Sequence, residues 1–117
     1  MTLERFLVLS AVLFAIGLYG ALTRRNAVSV LMAIEIMFNA VIIAFVAMSR
    51  YVTPAALRAD PTATGDAFVQ MVLTGQVFAV FIITVAAAEV ALGLAIVIAV
   101  YRVKGTVDVT EVNLLRR

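Results

Sequence analysis

Apolar positions in this chain come in long unbroken runs separated by short charged segments. The first run extends from Phe6 to Leu22, the second from Ala27 to Ser49, and the third from about Gln76 to Tyr101. None alternates with the two-residue period of a half-buried strand, and each is long enough, with its flanks, to cross the ~30 Å hydrocarbon core of a bilayer as a helix. Backbone groups have no water to bond in lipid, so three α-helices are predicted, at about 4–22, 27–49 and 74–101. Arg24 and Arg25 close the first run, and Asn26 is placed to cap the second helix. The link is so short that helices one and two must form an antiparallel hairpin. Residues 50–73 form a polar outer connection. Tyr51 to Asp66, with Pro54, Pro61 and Gly65, is expected to be a loop. Ala67 to Thr74 fits either a short interfacial helix or an early start of span three. The tail, 102–117, is polar and expected to be irregular.

Composition supports the membrane assignment. Hydrophobic residues make up 65% of the 117, against ~45–50% in soluble domains, and mean hydropathy is +1.15. The alternative for span one is a cleavable signal peptide, with Ala15-Ile16-Gly17 as the small-residue site. The run opens on Glu4 and Arg5, however, and stops on two arginines. Basic residues set the orientation. Arg24 and Arg25 lie between spans one and two, and Arg102, Lys104, Arg116 and Arg117 follow span three. Only Arg5, Arg50 and Arg58 lie at the other end. The positive-inside rule then makes the first loop and the C-terminus cytoplasmic and the N-terminus external.

Net charge is only +2, with no basic stripe for nucleic acid. The chain has no Cys and no His. That excludes disulfides, Cys- or His-built zinc sites, Cys-ligated iron–sulfur clusters and His-ligated haem within it. Gly17 and Gly20 lack the strand–turn–helix setting of a dinucleotide site. No cofactor or metal is expected in this chain.

Two carboxyls interrupt the apolar spans. Glu35 lies ~12 Å along span two from its cytoplasmic start and Glu89 ~18 Å from the cytoplasmic end of span three, by helical rise. Both depths are near mid-bilayer. A carboxylate there costs ~2.5 kcal/mol or more and marks a functional position. No Lys or Arg lies inside any span. Each Glu is therefore either neutral or supported by a base or hydrated cavity supplied by another subunit. A plain interhelical hydrogen bond is the simpler alternative, but such bonds are worth only ~1–2 kcal/mol or less in membranes. Asn39, one turn from Glu35, can orient that carboxyl, hold water, or bond another helix. Gly93, one turn from Glu89, leaves room beside it. Ala87, Ala91, Ala95 and Ala99 form a small-residue ridge ~200° away from Glu89. Two faces of span three thus want protein or water, and the chain is expected to sit in a larger membrane assembly. Gly17 and Ala21 are read as packing positions.

Several segments together resemble one family. They are Gly17-Leu18-Tyr19-Gly20, Arg24-Arg25-Asn26-Ala27, Met32 to Val41 around Glu35, Ala86 to Ala95 around Glu89, and Asn113-Leu114-Leu115. The chain resembles the subunit K family of proton-translocating NADH–quinone oxidoreductase, respiratory complex I, called 4L in organelles. The resemblance implies that Glu35 and Glu89 belong to the proton path linking quinone chemistry to pumping. It implies a coupling role for Arg24 and Arg25 in the cytoplasmic loop. It also implies an obligate hetero-oligomer with A-, J- and N-type subunits, in a bacterial plasma membrane or an equivalent thylakoid or inner membrane. NADH, flavin, iron–sulfur clusters and quinone would belong to other subunits. The outer connection reads as longer than the family's usual one. The competing readings are the small subunit of a multisubunit cation/proton antiporter, which generally lacks the paired glutamates, and a purely structural membrane adaptor.

Overall fold

A computed structural model describes residues 2–58 and 65–112. It consists of three helices, α1 (Leu3–Thr23), α2 (Ala27–Arg58) and α3 (Gly65–Lys104). Each contains a stretch long and apolar enough to cross a membrane: Leu3–Thr23, Ala27–Val52 and Leu73–Lys104. The helices form a row. α2 packs on both α1 and α3, and among the described residues α1 and α3 make no contact.

The helix boundaries follow local chemistry. α1 ends where Arg24 turns extended, its N–H still bonded to the Gly20 carbonyl. Asn26 then starts α2 as expected: its Oδ1 accepts from the backbone N–H of Val28 at 2.9 Å and of Ser29 at 3.4 Å. α3 stops at Gly105, whose φ of +69° suits only glycine without strain. Its N–H caps the helix by bonding the Tyr101 carbonyl at 2.8 Å.

The outer connection differs from expectation. The backbone is helical over 51–58, through Pro54, and again from Gly65, where a loop was expected from Tyr51 to Asp66. The strong helix formers that follow Pro54, Ala55-Ala56-Leu57-Arg58, account for this, as does the favourable placement of Asp66 in the first turn of α3. Of the two readings for 67–74, helical continuity with span three is the one observed. Pro61 and Asn113-Leu114-Leu115 lie outside the described residues, as do Arg116 and Arg117.

The seams between helices are lined by small residues. The buried apolar residues are Ala33, Ala40, Ala47, Ala79 and Ala86, and no large side chain among the described residues is fully buried. Ala33, Ala40 and Ala47 repeat every seven residues along α2, the spacing of a left-handed coiled seam. From α1, Gly17 meets them so closely that a Cβ there would lie 2.6 Å from Met37 Cγ and 2.8 Å from the Ala33 carbonyl oxygen. Ser10, also buried, donates its Oγ–H to the Ala40 carbonyl at 2.6 Å. On the other side, Ala79, Ala86 and Gly93 repeat the same spacing toward α2, and Phe45 meets Phe78 edge-on at 5.3 Å. The outer surface is apolar. Leu22 is 77% exposed and Val103 80%, which is untenable in water and natural against lipid or neighbouring helices. The Ala87–Ala91–Ala95–Ala99 ridge is exposed. It takes no part in packing within the chain; the small residues that do are Ala79, Ala86 and Gly93.

Candidate functional site in the membrane

Two glycine contacts fix how α3 runs against α2. A Cβ on Gly93 would meet Leu31 Cδ2 at 2.7 Å, and one on Gly75 would collide with the Ser49 side chain. Leu31 and Ser49 are as far apart in α2 as Gly75 and Gly93 are in α3, so both contacts obey a single antiparallel register. Glu35 stands one turn beyond Leu31, and Glu89 stands one turn before Gly93. Both steps lead away from the α1–α2 loop by the same rise of ~6 Å. The two glutamates are therefore level with each other, in the middle stretches of their spans.

Ideal helix geometry rotates them to opposite sides of the α2–α3 contact line. Going one turn by four residues leaves a rotation of about 40°. A right-handed helix turns in the same sense when followed toward the same end, whichever way its chain runs. Both glutamates are thus rotated in one sense from contact directions that point oppositely, α2 toward α3 and α3 toward α2. Glu35 leaves on one side of the α2–α3 plane and Glu89 on the other. Both are exposed, as is Asn39, one turn from Glu35. No hydrogen bond or ion pair joins any of the three to another described residue. Asn39 therefore does not hold Glu35 within this chain. Gly93 has a packing reason of its own: it admits Leu31 to the α2–α3 seam. Among the described residues no three acidic side chains come together as a metal site would require.

The loop end of the bundle is organised differently. Arg24 and Arg25 are exposed, but the loop's backbone is held. The tail returns along it in antiparallel pairing of Asn26 with Asp108. The Ala27 N–H bonds the Val107 carbonyl at 2.9 Å, and the Val109 N–H bonds the Arg25 carbonyl at 2.8 Å. Asp108 Oδ1 accepts from the Thr110 N–H at 2.8 Å and from its hydroxyl at 2.6 Å. These bonds, with the nearby Arg25 charge, hold the Asp108 carboxyl below the ordinary value of 3.8. Ala27, Val97, Val100, Val107, Val109 and Val112 line a cavity of about 300 Å³ where the tail meets the helix ends. The tail, expected to be irregular, forms no helix among its described residues beyond Lys104 but pairs with the loop through Val107, Asp108 and Val109. No side-chain periodicity announces such pairing, and the Asp108–Val109–Thr110 turn was its one local signal.

A three-span helical membrane protein carrying one level pair of carboxyls within its apolar helices is the class that this geometry defines. Residues 5–117 match the family model described as NADH-ubiquinone/plastoquinone oxidoreductase chain 4L, and the chain belongs to that family. It is 50% identical over 116 residues to an NAD(P)H-quinone oxidoreductase subunit 4L of Nostoc sp., covering 99% of each chain. It is 48% identical to a protein of the same name from Synechococcus sp., covering 97% of this chain and 96% of that one. It is 47% identical to an NADH-quinone oxidoreductase subunit K of Brevibacillus brevis, covering 99% and 97%. The chain is therefore a multi-pass integral membrane subunit of this oxidoreductase class.

Proposed function

We propose that this subunit contributes Glu35 and Glu89 as proton-carrying stations in the membrane arm of an NADH–quinone oxidoreductase. One observation carries the reading. Two carboxyls stand level in the middle of apolar helices, and neither has a partner among the described residues of the chain. A charged or protonatable group so placed needs water or a neighbour's polar side chain. Neighbouring membrane subunits, of the A, J and N types, would supply these on the two sides of the α2–α3 plane. Asn39 is placed to extend the polar path on the Glu35 side. The loop with Arg24 and Arg25, and the Arg102–Lys104 end of α3, support a cytoplasmic placement of that end. They would sit there next to the subunits that handle NADH, flavin, iron–sulfur clusters and quinone. The membrane would be a bacterial plasma membrane or a thylakoid or inner-membrane equivalent.

The test is Glu35→Gln and Glu89→Gln, singly and together, in the complete complex in sealed membrane vesicles. Glutamine keeps size and hydrogen bonding but carries no exchangeable charge. The expected result is a severalfold loss of proton pumping with the complex still assembled. Wild-type pumping by the double variant would reduce the subunit to a structural adaptor.

A further inference from the structure

The loop bearing Arg24 and Arg25 is short, extended at Arg24, and exposed. Its own residues offer little to hold it. Asn26 Oδ1 is committed to the first turn of α2, and neither arginine is ion-paired to a described residue. What holds the loop comes from the far end of the chain. The tail gives it two backbone bonds on either side of the Asn26–Asp108 pair. The tail itself is shaped by two short polar links. Thr106 Oγ1 accepts from the Asp108 N–H at 3.1 Å, and Asp108 Oδ1 binds both donors of Thr110. Val107, Val109 and Val112 line one cavity with Ala27 and the Val97–Val100 end of α3. Without these links the peptide after Gly105 has no reason to run back along the loop.

We propose that residues 106–112 are a strap that positions the basic α1–α2 loop, with Asp108 as its clasp. Asp108 is a positioning residue: it touches no proton-carrying group and acts by fixing the backbone of Arg25 and Ala27. The proposal rests on the proposed function above and on the coupling role that the family resemblance implies for Arg24 and Arg25. The strap ties the start of α2, which carries Glu35, to the end of α3, which carries Glu89. The ends of both carboxyl-bearing helices are thereby held together on the side where the arginines lie.

The chain has no cysteine of its own, which makes a direct test clean. Asn26 and Asp108 are opposed in a non-hydrogen-bonded antiparallel pair, where Cα atoms approach to ~4.5 Å, within disulfide range. With Asn26→Cys and Asp108→Cys together in the assembled complex, which removes the Asp108 clasp, mild oxidation is expected to yield a peptide linked between these two positions, and pumping, lowered in the reduced variant, is expected to rise when the link forms. Asp108→Ala combined with Thr110→Val is expected to lower pumping. Asp108→Asn, which keeps the Oδ1 acceptor, is expected to retain it, a rescue that bulk stability alone would not produce. Absence of the linked peptide, or wild-type pumping by the Ala/Val variant, would overturn the strap. Normal pumping by the glutamine variants at 35 and 89 would overturn the proton-path reading while leaving the cross-link in force, so the two failures are told apart.

Discussion

The middle of the membrane and the loop end of this molecule treat polar groups in opposite ways. At the loop end, apart from the exposed Arg24 and Arg25, the uncharged polar side chains and Asp108 are spent on the chain itself: Asn26 caps α2, Thr106 and Asp108 shape the tail, and Asp108 binds Thr110. In the middle stretches of the apolar helices, Glu35, Asn39 and Glu89 stand on the surface with no bond to another described residue. Water could satisfy polar groups at the loop end for little, yet they are paired. Leaving such groups bare is most costly in lipid, and there the chain leaves them bare. This contrast separates groups that build the fold from groups that neighbours must complete. It also explains why a row of helices with α2 in the centre suffices: the fold only has to hold two seams and present two faces.

The sharpest way to break the contrast is to attack a seam that carries no polar chemistry. Gly17→Leu would push a side chain onto Met37 and the Ala33 carbonyl, where even a Cβ has 2.6–2.8 Å. The carbonyl is helix backbone and cannot swing aside. Overpacking of this kind costs about 1–3 kcal/mol and can cost more, enough to separate α1 from α2. We expect the subunit to be lost from the assembled complex, read on native gels and by immunoblot. Glu35→Gln and Glu89→Gln, by contrast, should leave assembly intact and lower pumping severalfold. If Gly17→Leu assembles normally, the α1–α2 seam is not what places the glutamate-bearing helices.

Much of this was legible from residue order alone. The three spans and the Asn26 cap follow from apolar run length and one polar side chain at a helix start. The depth of Glu35 and Glu89 follows from helix rise. Their levelness and opposite facing do not, because these depend on which of many alanines and glycines form the seam. The sequence offers Ala87–Ala91–Ala95–Ala99 as readily as Ala79–Ala86–Gly93, and only packing tells them apart. Helical structure past Pro54 was hidden because proline reads as punctuation. The tail pairing was hidden because backbone bonds between Arg25 and Val109 leave no side-chain pattern.

A smaller effect is expected at the other region. Asn26→Ala removes the acceptor for the Val28 and Ser29 N–H groups, a loss of about 1 kcal/mol for an N-cap. The tail's backbone bonds to Arg25 and Ala27 remain. We expect the complex to assemble and pump, with a modest fall in thermal stability measured as loss of activity on heating. A collapse as severe as that of Gly17→Leu would mean that the loop end, and not the small-residue seams, carries the fold.

The smallest effect concerns pH. Asp108 is held below 3.8 first by the hydroxyl and N–H of Thr110, against an opposing contribution from desolvation, with the charge of Arg25 a smaller help. A carboxyl whose folded pKa is depressed binds fewer protons when the strap is closed than when it is open. Its contribution is therefore fully present above the unfolded value near 3.8 and is lost as pH falls through the lower folded value. The strap should be indifferent to pH from neutrality down to about 4 and loosen only below that. Hydrogen exchange at the Ala27 and Val109 amides, whose carbonyl partners lie across the strap, reads this directly once the intrinsic pH dependence of exchange is divided out. Protection should be flat through the physiological range and fall in acid, and in Asp108→Asn the acid fall should vanish. Loosening already between pH 6 and 8 would assign the clasp to another group and would make the loop end, not the mid-membrane carboxyls, the titrating region of this subunit.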